Sequence, residues 1–152
     1  MRAKAASPAD MLSMLTRIAS LLPTQTRRSE ESESLQQFST PIGLAYVASV
    51  AAAITPADVV LEPSAGTGHL AVLAELAGAS LVLNEFAESR AGVLGQLFPA
   101  VSTTRFDAAH INDHLDGRIV PSVVLMNPPF SAAVHVDRRV ADAALRHVAS
   151  AL

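Results

Sequence analysis

Cysteine is absent from this chain of 152 residues. No disulfide can form and no thiolate can hold a metal, and a cytoplasmic setting fits. A basic surplus is missing too. Eleven Lys and Arg stand against fourteen Asp and Glu, for a formal net charge of −3. A free-standing DNA binder needs the opposite balance to displace counterions. Long apolar runs are also lacking. The longest, Leu44–Ile54, is only half of the ~20 residues a membrane span requires. Arg2 and Lys4 precede an apolar segment in the manner of a signal peptide. Asp10 and Arg17 interrupt that segment and no tidy cleavage site follows, so it reads as an amphipathic helix. No internal repeat is visible.

What is present is a globular composition. Half of the residues are apolar, enough for one domain with a real core. Ser7-Pro8-Ala9-Asp10 is a helix start, with Ser at the cap and an acid reaching back. Met11, Met14, Leu15, Ile18 and Leu22 fall on one face of that helix, and Pro23 stops it. Residues 24–34 are polar and charged and read as an exposed linker. The chain therefore divides into an N-terminal helix with its linker, 1–34, and a main unit, 35–152.

From Leu35 onward the pattern is α/β. A helix is predicted from Thr40-Pro41 to about Ile54, then a strand over Asp58–Leu61 and a helix over Gly68–Ala77. A second strand over Ser80–Asn84 precedes a helix over Ala87–Leu97. A third, more polar strand covers Val101–Arg105, and a helical turn Ile111–Leu115. The fourth strand is Ile119–Met126, and a last helix starts near Val134. Strands alternating with helices predict a parallel sheet with helices on both faces. In the order 3-2-1-4 the apolar fourth strand is left as an open edge. Such a strand expects neighbours on both sides, so the expectation is a sheet truncated after the fourth strand. Either the remainder of a longer protein or a second copy would complete it.

Two motifs stand at strand ends. Glu62-Pro63-Ser64-Ala65-Gly66-Thr67-Gly68 follows the first strand and opens a helix. Without Cβ atoms at 66 and 68 the backbone can turn tightly and approach a ligand. The N–H groups that start the next helix favour a polar or negative group. No Lys-Ser/Thr follows the glycines, so the loop is not a P-loop. An ordinary strand-to-helix turn would look the same. Asn127-Pro128-Pro129-Phe130 caps the fourth strand. Two prolines stiffen the backbone and leave their carbonyls as acceptors. An amine on a flat ring is a poor nucleophile because its lone pair is delocalised. The Asn127 side-chain oxygen and the Pro128 carbonyl can each accept one of its hydrogens, which turns the lone pair out of conjugation. Phe130 can stack on the ring, offsetting part of the cost of flipping a base from a duplex. A strand-ending Asn-Pro turn is the bland alternative.

Three further segments are suggestive. Glu85 ends the second strand, seventeen residues after Gly68. An acid about 20 residues beyond a glycine loop commonly accepts from ribose hydroxyls; a carboxylate at a helix N-terminus is equally at ease there. Phe106-Asp107 follows the third strand, and Asp107 can also cap the next helical turn. His110 and His114, with Asp107 and Asp113 nearby, have metal-like spacing but no third firm ligand, so no metal is expected. Arg138 and Arg139 can reach phosphates, though a solvated helix face explains them as well.

Together Gln36-Gln37-Phe38-Ser39-Thr40-Pro41, the glycine loop and the NPPF tetrad resemble the S-adenosylmethionine-dependent N6-adenine DNA methyltransferases, in the gamma order of motifs. They also look like the methylase region of bacterial methylase–helicase fusion proteins. The resemblance implies a Rossmann-like class I methyltransferase fold with S-adenosylmethionine as cofactor. Phe38 and Thr40 would contact its methionine end, and Glu62, Pro63, Ser64, Ala65, Gly66 and Gly68 would cradle it. Glu85 would take the ribose and Phe106 and Asp107 the adenine. Asn127 would touch both cofactor and substrate, and Pro128, Pro129 and Phe130 would complete the catalytic tetrad. DNA is the implied partner, and no membrane is expected. Relatives that methylate a protein glutamine or an RNA guanine amine share Asn-Pro-Pro followed by an aromatic, usually Tyr. A non-catalytic docking module of a larger nucleic-acid enzyme is the alternative from another class.

Overall fold

The computed structural model describes residues 7–22, 38–128 and 139–152, with the backbone alone for 139–144. Helix α1, Pro8–Leu21, begins on the expected capping box. Asp10 N–H donates to Ser7 Oγ, and the Asp10 carboxylate accepts from Ser7 N–H. It packs on α2, Ile42–Ala51, where a Cβ on Gly43 would lie 3.4 Å from Leu12 and Thr16. The polar stretch 24–34 falls outside the described residues.

Strand β1 (Val59–Glu62) leads into α3 (His69–Leu76), and β2 (Ser80–Asn84) into α4 (Glu88–Leu97). After β3 (Thr103–Thr104) come a 3-10 helix (Ala108–Asp113), β4 (Val123–Val124) and α5 (Arg139–Ala151). The four strands are parallel in the expected order β3-β2-β1-β4. Side chains alternate along them. Val60, Leu81, Val123 and Leu125 pack with Ala45, Leu70 and Ala74 from α2 and α3. Leu83 joins Leu94 of α4 and Phe98, which follows that helix. Leu61, Val82, Val124 and Met126 face the other way, onto Ile111 and Ala151. Period-two alternation thus sends consecutive residues to opposite faces, and helices cover both.

The outer strands are shorter than their apolar content suggests. Pro121 has no N–H to give to a ladder, and Ile119 and Val120 before it are exposed. Backbone bonds to β1 start at Ser122, which donates to Val59 O, and end at Leu125, which donates to Leu61 O. The expectation of a strand buried from Ile119 onward is corrected accordingly. Likewise β3 is two residues long, because Val101 N–H is taken by Phe98 O in a turn. A side-chain clamp sets the entry of β1 and β4. Asp58 accepts from Ser122 Oγ and from Thr55 N–H and Oγ1, each at 2.8 Å, and Ser122 Oγ accepts from Val59 N–H. These hydrogen bonds, the one from Ser122 foremost, hold the Asp58 carboxyl below its ordinary pKa.

Candidate active site at the carboxyl ends of the strands

In an open parallel sheet the strands' carboxyl ends form the crevice where ligands sit, at the point where chain order reverses. Here that point lies between β1 and β4, and a cleft opens there. Three segments line it: Phe38, Ser39 and Thr40; Glu62 with the loop Ser64–Thr67 and, behind it, His69 and Leu70; and Asn127. The structure thus unites the three motifs that are far apart in sequence.

The glycine loop has left-handed backbone at Gly66 (φ +58) and Gly68 (φ +83). At Gly68 a Cβ would also sit 2.9 Å from Phe98 and 3.0 Å from Leu94. That position therefore needs glycine for conformation and for space. Gly66 N–H donates to Glu85 Oε2 at 2.7 Å, and Ala87 N–H to Oε1 at 2.9 Å. Glu85 is buried, and it ties the loop to the start of α4. Each of its oxygens keeps a second lone pair.

Asn84 organises the floor. It is buried, and all four of its amide valences are used. Nδ2 donates to the carbonyls of Pro63 (2.8 Å) and Phe106 (2.9 Å). Oδ1 accepts from Phe106 N–H and Thr104 Oγ1, both at 2.8 Å. The ends of β1, β2 and β3 are thereby held together.

Glu62 lines the cleft and is 2% exposed. Its Oε2 is buried with no hydrogen-bond partner among the described residues. Burial pushes its pKa well above the usual carboxylate value, against a hydrogen bond from Ala71 N–H and helped by the Glu85 charge. A buried polar atom without a partner is costly, and a ligand ammonium would relieve it.

The Phe38–Thr40 segment is stitched onto the loop. Thr67 Oγ1 donates to Ser39 Oγ at 3.1 Å. His69 Nδ1 lies 2.6 Å from the Thr40 carbonyl oxygen, which can only accept, so that ring nitrogen carries the proton. Thr40 does not cap α2; no side chain caps that helix. Its hydroxyl instead accepts from Asn127 Nδ2 at 3.1 Å.

Not every expected residue reaches the cleft. Pro63 and Gly68 are structural members of the loop, and Glu85 lies behind it. Phe106 and Asp107 sit at the end of β3, on the far side of β2, outside the lining. Asp107 caps the 3-10 helix through Ala109 N–H (2.9 Å), and Phe106 stacks on His114 with centroids 4.0 Å apart. His110 lies 3.9 Å from Asp113. Pro128 is described and half-buried; Pro129, Phe130 and Arg138 are outside the described residues. Ser39, Thr67, His69 and Asn84 were not singled out by sequence reasoning. Only the polarity of His69 directly after a glycine pair was a local hint.

No protein-family model matches the sequence, and no curated protein sequence does. Among solved structures the chain is similar to PH1948 from Pyrococcus horikoshii, a protein assigned as an RNA methyltransferase. The TM-score is 0.63 at 22% identity, over 90% of this chain and 66% of that one. TrmN from Thermus thermophilus aligns with a TM-score of 0.48 at 19% identity, over 86% and 61%. The chain thus spans just under two thirds of PH1948. That likeness establishes the fold: a Rossmann-like, class I methyltransferase sheet with helices on both faces. No helix among the described residues is long and apolar enough to cross a membrane.

Proposed function

We propose that this chain binds S-adenosylmethionine and forms the catalytic part of a cytoplasmic enzyme that methylates an exocyclic amine, with adenine N6 in DNA as the leading target. One observation carries the reading. A single cleft joins a buried carboxylate with one oxygen, Glu62 Oε2, lacking a partner among the described residues, a left-handed glycine loop and the Asn127 carboxamide. Glu62 would meet the cofactor's ammonium group, and Ser64–Gly66 would lie along its backbone. Glu85, through its remaining lone pairs, would accept from the ribose hydroxyls. Phe106, 37% exposed at the end of β3, would pack against the adenine. When bound, the cofactor supplies an electrophilic methyl group on a sulfonium sulfur.

The chain's own part is positioning. Asn127 Oδ1 and the Pro128 carbonyl accept the two amine hydrogens, which localises the nitrogen lone pair and aims it. No general base is needed before attack, because the amine attacks as a neutral nucleophile and sheds a proton afterwards. On this reading DNA is a partner despite the net charge of −3, so the basic surface for its backbone would come from outside the described residues. Among the described residues β4 is an edge strand, where a further strand, from elsewhere in the protein or from a second copy, would pair.

The test is calorimetric titration with S-adenosylmethionine and S-adenosylhomocysteine, followed by transfer of a labelled methyl group. Adenine-containing DNA, RNA and a glutamine peptide are offered in parallel. Micromolar binding, with methylation of DNA alone, supports the full reading. Methylation of RNA or peptide alone replaces the substrate and keeps the chemistry. A folded chain that binds neither cofactor form removes the enzyme reading. Asn127→Ala should abolish transfer and leave cofactor affinity nearly unchanged.

A further inference from the structure

Phe38, Ser39 and Thr40 form one wall of the cleft, and they belong to no strand or helix. Neither Ser39 nor Thr40 makes a backbone–backbone hydrogen bond among the described residues. Side chains from elsewhere in the fold hold them instead. The hydroxyls of Ser39 and Thr67 lie 3.1 Å apart. The Thr40 carbonyl oxygen lies 2.6 Å from His69 Nδ1, and the Thr40 hydroxyl 3.1 Å from Asn127 Nδ2. The first two of these attachments come from the glycine loop and the residue that follows it.

We propose that Thr67 and His69 are positioning residues that hold this wall in place before a ligand enters, so that the loop that would grip the cofactor also builds the wall beside it. The proposal deepens the methyltransferase reading and rests on it for the identity of the ligand. The local sequence divides the work. In Gly66-Thr67-Gly68-His69 the two glycines take left-handed backbone (φ +58 and +83), which turns the chain tightly after β1. Thr67 and His69 reach the wall across 28 and 29 positions. The wall is stiff where it meets α2, because Pro41 fixes its own φ and disfavours helical backbone at Thr40. Anchors on the adjacent residues Ser39 and Thr40 then set its course. The Ser39–Thr67 bond joins the two segments whichever hydroxyl donates. The His69 bond has one direction, since a carbonyl oxygen can only accept. A wall ordered in advance removes its ordering entropy from the cost of binding, and affinity rises accordingly. A histidine directly after the glycine pair has no local explanation; the wall supplies one.

The experiment is nitrogen NMR of the full chain without ligand, followed by calorimetric titration with S-adenosylhomocysteine. In the wild type the His69 ring should be the Nδ1–H tautomer. The Ser39 and Thr40 amides should be as rigid as the sheet, with order parameters of about 0.85. A first double variant, Thr67→Val with His69→Leu, should drop them below about 0.6 while Val60 and Leu83 stay rigid. A second, Thr67→Ser with His69→Asn, keeps a hydroxyl and places a side-chain N–H near Nδ1. It should restore the wild-type values. S-adenosylhomocysteine should bind the first double variant about tenfold more weakly than the wild type, and the second like the wild type. An Nε2–H tautomer or mobile Ser39 and Thr40 amides in the wild type overturn the proposal. So does a first double variant whose wall stays rigid, or one that binds S-adenosylhomocysteine as tightly as the second. A wild type that binds no S-adenosylhomocysteine sinks the cofactor reading, and the order parameters then decide the role of Thr67 and His69 by themselves. If the sheet amides show the first double variant to be unfolded, Thr67→Val and His69→Leu are measured singly, and the wild-type spectra still decide.

Discussion

Glu62 is a carboxylate with almost no contact with water, and its protonation is coupled to everything around it. Its pKa in the fold lies above the ordinary 4.5, with burial as the main cause. The stability associated with its protonated form is fully present below that ordinary value, and it is lost as pH rises toward the raised one. Urea unfolding across mildly acidic pH should therefore show a falling slope in the wild type that Glu62→Gln flattens. A bound ammonium would reverse the preference, so on the proposed reading S-adenosylmethionine should expel a proton on binding. Calorimetry in buffers of different ionisation heat, at mildly acidic pH, should give buffer-dependent enthalpies that vanish in Glu62→Gln. Asp58 has the opposite sign. Its pKa is held below 3.8 by Ser122 and Thr55, so its contribution is present above that value and lost as pH falls through the lowered one. Asn84 is the neutral counterpart. Asn84→Ala would strand two carbonyls and an N–H and leave the Thr104 hydroxyl only its longer bond to the Leu83 carbonyl, and should cost about 3 kcal/mol in denaturant unfolding. Asn84→Asp should cost at least as much, because it sets a carboxylate against the Pro63 and Phe106 carbonyls.

At the scale of elements, two glycines should answer oppositely to the same change. Gly68→Ala meets both a left-handed backbone and the Phe98 and Leu94 side chains, and should destabilise by roughly 2 kcal/mol. Gly95→Ala lies within α4 with nothing within 4 Å of the added carbon. It should stabilise by about 0.5–1 kcal/mol, and thermal melts of the two variants should diverge from the wild type in opposite directions. Element type was legible along the chain because period, caps and breakers agree. Ser7 with Asp10 marked α1, and Ser80–Asn84 is bounded as its pattern predicts. Strand extent was less legible. Val101–Arg105 and Ile119–Met126 have strand composition, yet pairing depends on what the neighbouring strand can reach, and each ladder is only two residues long. Pro121 was a visible signal that the fourth strand could not start before it.

For the whole molecule, the centre of the sheet and its margins should differ in stability. β1 pairs with β2 over four residues, whereas β1–β4 and β2–β3 pair over two each. Native-state hydrogen exchange should accordingly be slowest at Val60–Leu61 and Leu81–Leu83 and fastest at Thr104 and in α1, a helix without buried residues. Uniform protection across the four strands would contradict this picture. The apolar and glycine patterns by themselves determined the alternation of strands and helices, the two covered faces and the strand ends that carry the loop and Asn127, because parallel strands need crossovers that lie on the sheet's faces. It was the resemblance of the chain's motifs to the methyltransferases that pointed to Glu62 and Thr40, and the NPPF tetrad that pointed to Asn127. Only the tertiary structure decided what those residues bond. Glu85 turns inward to the loop, Asp107 caps its own helix, Thr40 serves Asn127 instead of α2, and His69 serves Thr40 across 29 positions. The reason is physical: a hydrogen-bonding group takes the partner that folding brings within about 3 Å, and partners separated by tens of residues leave no periodic trace in the chain that joins them.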